Sequence, residues 1–193
     1  MAISYPITLP DAGFRAIEWT PKTNVKVAVS PYTGAQQVQA WPAQWWEAKV
    51  TIPPYRTGTY IESWVAALLS LQGKLGTFYL GDSNLLTTQG TAAGSIVVGS
   101  GAVSGSTTLP LSGGTGSFAV GDWISVSNKL HKVTQVNVGS VDVFPTLRSA
   151  YAATTPVIFA GAKGIFRLAA DYKWSVDEAR RYGLEFQAME VLP

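Results

Sequence analysis

The sequence predicts a mainly β protein of the α+β class, and three observations lead to this. Of the 193 residues, 47% are hydrophobic and only 13% are charged, a balance that supports a packed core. The chain also contains 19 glycines, 11 prolines and many β-branched and aromatic residues, which favours strands joined by turns. Finally, a single stretch, residues 59–72, shows the apolar spacing of a helix.

The first 40 residues predict an extended arm followed by short strands. Apolar residues alternate in 3–7 and again in 25–29, which is the period of a half-buried strand. Residues 20–24, TPKTN, predict a break between strands. Residues 30–34, SPYTG, predict a turn, and an extended run follows in 36–41.

The next strand lies just before the predicted helix. Every second residue from Trp46 to Ile52 is apolar, while the residues between them are polar. This alternation predicts that Trp46, and with it the other apolar residues, points into a core. Pro53 and Pro54 should end the strand, because proline donates no hydrogen bond to a sheet.

A helix is predicted to begin near Thr59, which precedes Glu62 by three residues in the pattern of a capping box. Gly73 is expected to end it in a left-handed cap, and a strand from Leu75 to Leu80 should follow. The apolar stripe of the helix should lie across a sheet. This stripe consists of Ile61, Trp64, Val65, Leu68 and either Leu69 or Leu71.

The composition changes after Asn84. Residues 87–117 are mostly Gly, Ser, Thr and Ala, with short β-rich runs between glycine turns. Further short strands with turn residues between them follow as far as residue 162, as in a small barrel or sandwich. This part of the chain therefore predicts an inserted small β domain.

The pattern of the first part returns at Lys163–Gly164. Strands are expected at Ile165–Ala169 and Lys173–Val176, followed by a longer one from Tyr182 to Glu190. The alternation in this last strand matches that of the strand before the helix. We expect the two ends of the chain to form one β-sandwich domain, interrupted at an exposed turn by the insertion. The predicted domains are 1–86 together with 163–193, and 87–162.

No catalytic constellation is found in the sequence, so the protein is not expected to be an enzyme. It has no cysteine and one histidine, His131, which is expected to be a surface residue of a strand rather than a ligand. The glycine motifs of serine nucleophiles, dinucleotide sites and phosphate loops are absent. No cofactor and no metal site are expected.

Charge and hydropathy argue against two further classes of partner. The net charge of +2 comes from scattered residues, and no basic run exceeds Arg180–Arg181, so no nucleic-acid recognition is expected. The N-terminus lacks the features of a signal peptide. The longest apolar run, WVAALL, is far shorter than the roughly 20 residues of a membrane span. We expect a soluble protein without membrane insertion.

Exposed aromatic residues form the candidate contact surface. Because Trp46 is expected to point into the core, Trp45 should point outward, close to Trp41. Tyr55 and Arg56, just beyond the proline pair, are expected to extend this surface, since Trp, Tyr and Arg are enriched in interfaces. The alternative is that Trp41 and Trp45 only cover a sheet edge or an arm.

Four segments carry a resemblance to a known family. They are WPAQWWEAKVTIPPY, ESWVAALLSLQGKLGTFYLGD, the VGDWISV strand of the insertion, and GIFRLAADYKWSVDEARRYGLEFQAMEVL at the end. Over nearly the whole chain, the sequence resembles the distal tail proteins of long-tailed, siphovirus-type bacteriophages.

The resemblance implies a structural protein of the virion tail, assembled in the cytoplasm of the bacterial host. It implies a β-sandwich ring domain with one helix, forming a homo-oligomeric ring, a hexamer, between the tail-tube protein and the hub protein of the tail tip or baseplate. In that family a second domain sits on the outside of the ring. Residues 87–162 are short for a galectin-like domain, which favours a small barrel. The family carries no enzymatic activity that transfers to this chain.

Two other functions stay open. The protein can also be interpreted as a carbohydrate-binding accessory module for host-surface glycans, with Trp123 as the candidate for stacking on a sugar. Against this, an aromatic residue that opens a strand is usually part of a core. A tail-tube subunit is the structural alternative, since tube proteins use related sandwiches.

Overall fold

The computed structural model describes residues 3–10, 14–56, 58–83, 85–178 and 181–192, without the side chains of 55 and 56. It contains two sheets and, in these residues, one helix, which confirms the predicted mainly β class. No described helix combines the length and the apolarity needed to cross a membrane. In chain order the elements are β1 (Ile7–Thr8), β2 (Ala16–Val29), β3 (Gln36–Thr51), β4 (Tyr55–Arg56), α1 (Thr59–Ser70), β5 (Phe78–Leu80), β6 (Ala93–Val98), β7 (Thr108–Thr115), β8 (Trp123–Val126), β9 (Lys129–Asn137), β10 (Ser140–Phe144), β11 (Val157–Ile158), β12 (Gly164–Leu168), β13 (Lys173–Val176) and β14 (Arg181–Glu190).

The first sheet has eight strands, in the order β1-β5-β12-β14-β3-β2, and β4 and β13 pair with the start of β14. In the antiparallel pair β14–β3, Phe186 lies opposite Val50 and Ala188 opposite Ala48. All four side chains are buried, as are Trp46 and Leu184. The inward faces predicted for these two strands are therefore confirmed.

The long hairpin β2–β3 corrects the predicted break at Thr20–Asn24. Pro21 lies within β2, opposite Trp46, and the strand continues through it. A proline is tolerated here because β2 is the edge strand of the sheet. The irregularity lies instead in β3, where Pro42–Ala43 form a bulge without partners in β2.

Helix α1 packs its apolar stripe against the first sheet, as predicted. Leu71 completes the buried stripe, while Leu69 is 55% exposed. The predicted capping box is wrong, because Thr59 is already helical, the N-cap residue is Gly58 and no side chain caps the helix. Glu62 instead accepts a hydrogen bond from the hydroxyl of Tyr182 at 3.0 Å, which joins the helix to β14.

The second sheet is nearly closed into a barrel. Its order is β11-β8-β9-β10-β7-β6, and its last strand returns to the segment that leads into β11. There the N–H of Val98 donates to the carbonyl of Thr155 (2.9 Å), and the N–H of Thr154 donates to the carbonyl of Val98 (2.8 Å). All six strands lie within residues 87–162, which we call the second lobe; the rest of the chain is the first lobe.

The two lobes share part of one core. Trp123 and Leu130 belong to the second sheet by sequence, yet both pack into the core of the first lobe. The ring of Trp123 lies 5.1 Å from that of Trp19 and 5.0 Å from that of Trp46. The lobes are therefore joined by packing as well as by the chain, and whether residues 87–162 fold alone stays a prediction.

Candidate subunit interface

A large exposed apolar surface lies on the outer part of the β2–β3 hairpin, residues 24–41, which we call the arm. In the described part of the chain, the strands of the arm pair only with each other. Four of its valines are about half exposed: Val25 (45%), Val27 (53%), Val29 (56%) and Val38 (61%). A two-stranded ribbon of this kind is marginally stable in water on its own.

The valines of the arm lie on the core-facing side of the sheet. Strand β2 alternates without interruption, so Val25, Val27 and Val29 share the side of Trp19, which packs against the core of the first lobe. Val38 lies opposite Val27 in the register and therefore on the same side. The arm continues the apolar side of the sheet beyond the end of the core.

The arm and its base are almost free of charge. Residues 23–46 contain one charged side chain, Lys26, which lies on the outer side, opposite Gln39. The centres of protein interfaces are depleted in charged residues, because charges are costly to remove from water. The composition of the arm therefore suits burial against a partner.

Trp41 and Trp45 lie on the outer side of the hairpin, as the alternation requires. Trp41 pairs with Asn24 on the arm and is 40% exposed. Trp45 lies below the bulge and is half-buried. Its Nε1–H donates to Oε1 of Glu47 at 3.2 Å, and the other oxygen of Glu47 contacts Nζ of Lys22 at 3.2 Å. Trp45 is thus held in place, while Trp41 presents its ring to solvent.

Tyr55 and Arg56 lie elsewhere. Their backbone forms β4, which pairs with residues 181–182 at the start of β14. From Trp45, strand β3 runs to Thr51 before the chain reaches them, a distance of about 20 Å. The four residues predicted to form one contact surface therefore lie in two places, and the side chains of Tyr55 and Arg56 are outside the description.

A second exposed apolar surface, which no sequence pattern indicated, lies on β13. Trp174 is 42% exposed and Val176 is 52% exposed. The ring of Tyr172 stacks on that of Trp174 with centroids 6.1 Å apart. Trp174 lies opposite the buried Leu184, so the surface is on the core-facing side of the sheet. We call Tyr172, Trp174 and Val176 the β13 patch.

The arm and the β13 patch lie at opposite ends of the first sheet. The arm extends β3 at its start, whereas β13 adjoins β14 near Glu185, which pairs with Thr51 at the end of β3. From Val38 to Thr51, the strand covers roughly 40 Å at about 3.3 Å per residue. The two surfaces therefore face the same side of the sheet but are far apart.

The second lobe holds the base of the arm. Gln44, next to the bulge, accepts a hydrogen bond on Oε1 from the N–H of Thr146 at 2.9 Å. Its backbone carbonyl accepts another from Nε of Arg148 at 3.3 Å. Because Gln44 is anchored at both its side chain and its backbone, the arm leaves the body of the protein from a fixed base.

A buried ion pair joins the lobes beside this base. Arg148 and Glu190 have side-chain exposures of 6% and 0%, and Nη2 of Arg148 donates to Oε2 of Glu190 at 2.7 Å. The carboxylate also accepts hydrogen bonds from the N–H of Trp46 (3.1 Å) and the N–H of Leu130 (3.4 Å). Its charge is therefore compensated on both oxygens, which a buried carboxylate requires.

Trp123, the candidate for stacking on a sugar, is a core residue. It is 3% exposed, its Nε1–H donates to Asp82 at 3.2 Å, and the ammonium group of Lys132 lies 4.4 Å from the centre of its ring. No ring face is available to a glycan, so this interpretation of Trp123 is wrong. Trp123 is buried because its ring fills the partly apolar boundary between the lobes, against Trp19 and Trp46.

His131 is also buried rather than on the surface. It is 0% exposed, and its Nδ1–H donates to the carbonyl of Pro145 at 2.9 Å, while Nε2 has no hydrogen-bond partner. The pKa of His131 is lowered to about 4, mainly by burial and also by the charges of Arg148 and Lys129, while the hydrogen bond to Pro145 acts in the opposite direction. The imidazole is therefore neutral at pH 7.

Among the residues that the structure describes, no three His, Cys, Asp or Glu side chains come together as a group that would hold a metal ion. No model of a known protein family matches the sequence, and no curated protein matches it.

Proposed function

We propose that the protein is a structural subunit of a ring at the distal end of a phage tail, linking the tail tube to the tail-tip hub or baseplate. Two lines support the proposal. One is the resemblance of four segments of the sequence to distal tail proteins. The other is the pair of apolar surfaces, the arm and the β13 patch, at the two ends of one sheet. In a closed ring each subunit needs two different surfaces, because ring contacts are heterologous.

The observation that carries the proposal is the arm. A monomer rarely exposes a continuous apolar surface unless the surface meets a partner. Here Val25, Val27, Val29 and Val38 form such a surface on a ribbon that projects from a firmly anchored base. A rigid base limits the conformational entropy that the arm loses when it binds.

The oligomeric state of the purified chain tests the proposal. Mass measurement by light scattering, together with negative-stain micrographs, should show closed rings of one size, six subunits in each. Long stacked polymers would indicate the tail-tube subunit instead. A protein that stays monomeric at high concentration, with its fold intact by circular dichroism, would contradict the proposal.

A matched pair of variants connects the ring to the arm. Val27→Ser combined with Val38→Ser removes apolar contact on the core-facing side of the arm, and we expect the ring to dissociate into folded monomers. Lys26→Ser combined with Gln39→Ser changes the neighbouring positions on the outer side. This control should leave the ring mass unchanged. Equal effects of both pairs would show that the valines have no special role.

A further inference from the structure

We infer that the arm of one copy of this chain lies across the β13 patch of a second copy, so that copies join head to tail. The inference rests on the proposed ring function and goes beyond it by assigning the two surfaces to each other. The arm supplies Val25, Val27, Val29 and Val38, and the patch supplies Tyr172, Trp174 and Val176.

A copy cannot cover its own patch. The two surfaces are separated by roughly 40 Å of strand β3, from Val38 to Thr51, and the base of the arm is fixed by the two contacts of Gln44 with the second lobe. The arm therefore cannot fold back onto β13. Any contact between the two surfaces has to be made by different molecules.

The side of the sheet also favours this pairing. Both surfaces extend the core-facing side past the ends of the core, one at each end of β3 and β14. Each is an apolar face whose side chains stay about half exposed, whereas the residues on the same side of β3 and β14 between the two faces are buried in the core. When the arm of one copy lies over β13 of the next, each face covers the other.

The chemistry of the surfaces is complementary. The arm presents β-branched aliphatic side chains, and the patch presents the stacked rings of Tyr172 and Trp174. Contacts between aromatic and β-branched side chains are among the favourable pairs in sheets, and aromatic residues are enriched in interfaces. Lys26, the single charge of the arm, lies on its outer side and stays in water.

A two-fold contact between two arms leaves more surface exposed. It would bury the valines of both copies, but Trp174 and Val176 would stay uncovered on each. A head-to-tail contact covers both surfaces of every copy and repeats around a ring until it closes. The observations therefore favour the head-to-tail arrangement.

Cysteine cross-linking tests this assignment directly, because the chain contains no cysteine. Val27→Cys in the arm and Val176→Cys in the patch are prepared as separate single variants, mixed and treated with a short bis-maleimide. We expect a covalent dimer from the mixture, at least tenfold more than from either variant alone. The double variant should give a ladder of multimers that ends at the ring.

One control and a second cysteine pair test the geometry of the contact. Gln39→Cys lies on the outer side of the same arm, opposite Lys26, and should cross-link to Val176→Cys at least tenfold less. A second pair, Val38→Cys with Trp174→Cys, tests the same contact at another register. Circular dichroism and the ring mass of each variant confirm that it folds and assembles.

The outcomes separate the inference from the proposed function. If the unmodified protein forms rings but neither cysteine pair cross-links, the ring stands and the assignment of surfaces is wrong. A strong dimer from Val27→Cys alone shows an arm-to-arm contact and also overturns the assignment. If the unmodified protein forms no rings at all, the proposed function fails first, and the inference fails with it.

Discussion

Arg148 and Glu190 form an ion pair that crosses the boundary between the two lobes and is almost completely buried, with side-chain exposures of 6% and 0%. The arginine follows the last long hairpin of the second lobe, and the glutamate ends β14 in the first lobe. Because the carboxylate also binds the N–H groups of Trp46 and Leu130, it connects β14 with β3 and β9. One side chain thus fixes how three strands meet.

Breaking this pair should be costly. Arg148→Met leaves the charge of Glu190 buried without its main partner, and we expect the free energy of unfolding to fall by about 3–5 kcal/mol. Adding Glu190→Gln removes the unpaired charge and should restore part of the loss. Urea denaturation of both variants measures this. If the double variant is no more stable than Arg148→Met alone, the unpaired charge is not the cause.

Replacing residues 87–162 with a short Gly/Ser linker tests whether the second lobe is separable. We expect the remaining chain to keep its helix signal in circular dichroism but to lose stability, since Trp19 and Trp46 lose their contact with Trp123. The shortened chain lacks Arg148, so the charge of Glu190 has lost its main partner. Adding Glu190→Gln removes this unpaired charge and should raise the unfolding midpoint of the shortened chain. A shortened chain that is unfolded with or without Glu190→Gln would show that the first lobe depends on the second.

Trp64 is the largest fully buried side chain of helix α1, with 0% exposure and ring contacts to Phe14 and Phe186. Trp64→Ala should destabilise the protein by roughly 3–5 kcal/mol through the cavity that it leaves. Trp64→Phe is the control, and it should cost less, since the buried Nε1–H of Trp64 has no partner to lose. Chemical denaturation measures both, and a loss below about 1 kcal/mol for Trp64→Ala would show that the cavity collapses.

The buried His131 should make the protein less stable in weak acid. Its pKa is about 4 in the folded protein and 6.5 in an unfolded chain, so the unfolded state takes up a proton first as the pH falls. Above pH 6.5 the titration of His131 does not affect the free energy of unfolding. As the pH falls from 6.5 towards 4, it lowers this free energy by about 3 kcal/mol in total. His131→Asn keeps a donor for Pro145 without this titration. The free energy of unfolding of the wild type and of the variant is measured as a function of pH, and the difference between the two curves should show this loss. Parallel curves would contradict the prediction.

The outward tryptophans give a further prediction for assembly. With the head-to-tail contact inferred above, Trp41→Ser combined with Trp45→Ser should leave both the circular dichroism spectrum and the ring mass unchanged, since both side chains lie on the outer side of the hairpin, away from the valines. A shift from ring to monomer would instead place these two tryptophans in the contact, as their sequence pattern indicates. Trp46→Ser, one position along the same strand, should instead unfold the protein, because Trp46 is 5% exposed and packs in the core. A ring that survives the double change would exclude Trp41 and Trp45 from the interface.

Local periodicity was enough to predict the stripe of α1 and the inward faces of β3 and β14. In each case the spacing of apolar residues indicates which side of the helix or strand is apolar. The spacing does not indicate whether other residues bury that apolar side in the folded protein. Val25, Val27 and Val29 alternate just as Ala48 and Val50 do, yet the first three are half exposed and the last two are buried.

Contacts between distant parts of the chain could not be predicted from the sequence pattern. Nothing near Arg148 or Glu190 indicates that they meet, because an ion pair across the lobes leaves no local spacing to detect. The burial of Trp123 was missed for the same reason, since it depends on the contact between the lobes. The burial of His131 was missed because the residue pairs with Ile124 and shares its side of the strand, which faces the core of the second lobe. The break expected at Pro21 was wrong because the position of β2 at the edge of the sheet is also a property of the whole fold.

Pro21 has a consequence for a copy of the chain whose arm is not covered. Strand β2 is long and lies at the edge of the sheet, and such edges invite other chains to add as further strands. Pro21 interrupts the row of N–H groups in its middle, and Lys22 and Lys26 place charges beside it. A single copy of the chain is thus protected from edge-to-edge pairing, although the valines of its arm are exposed.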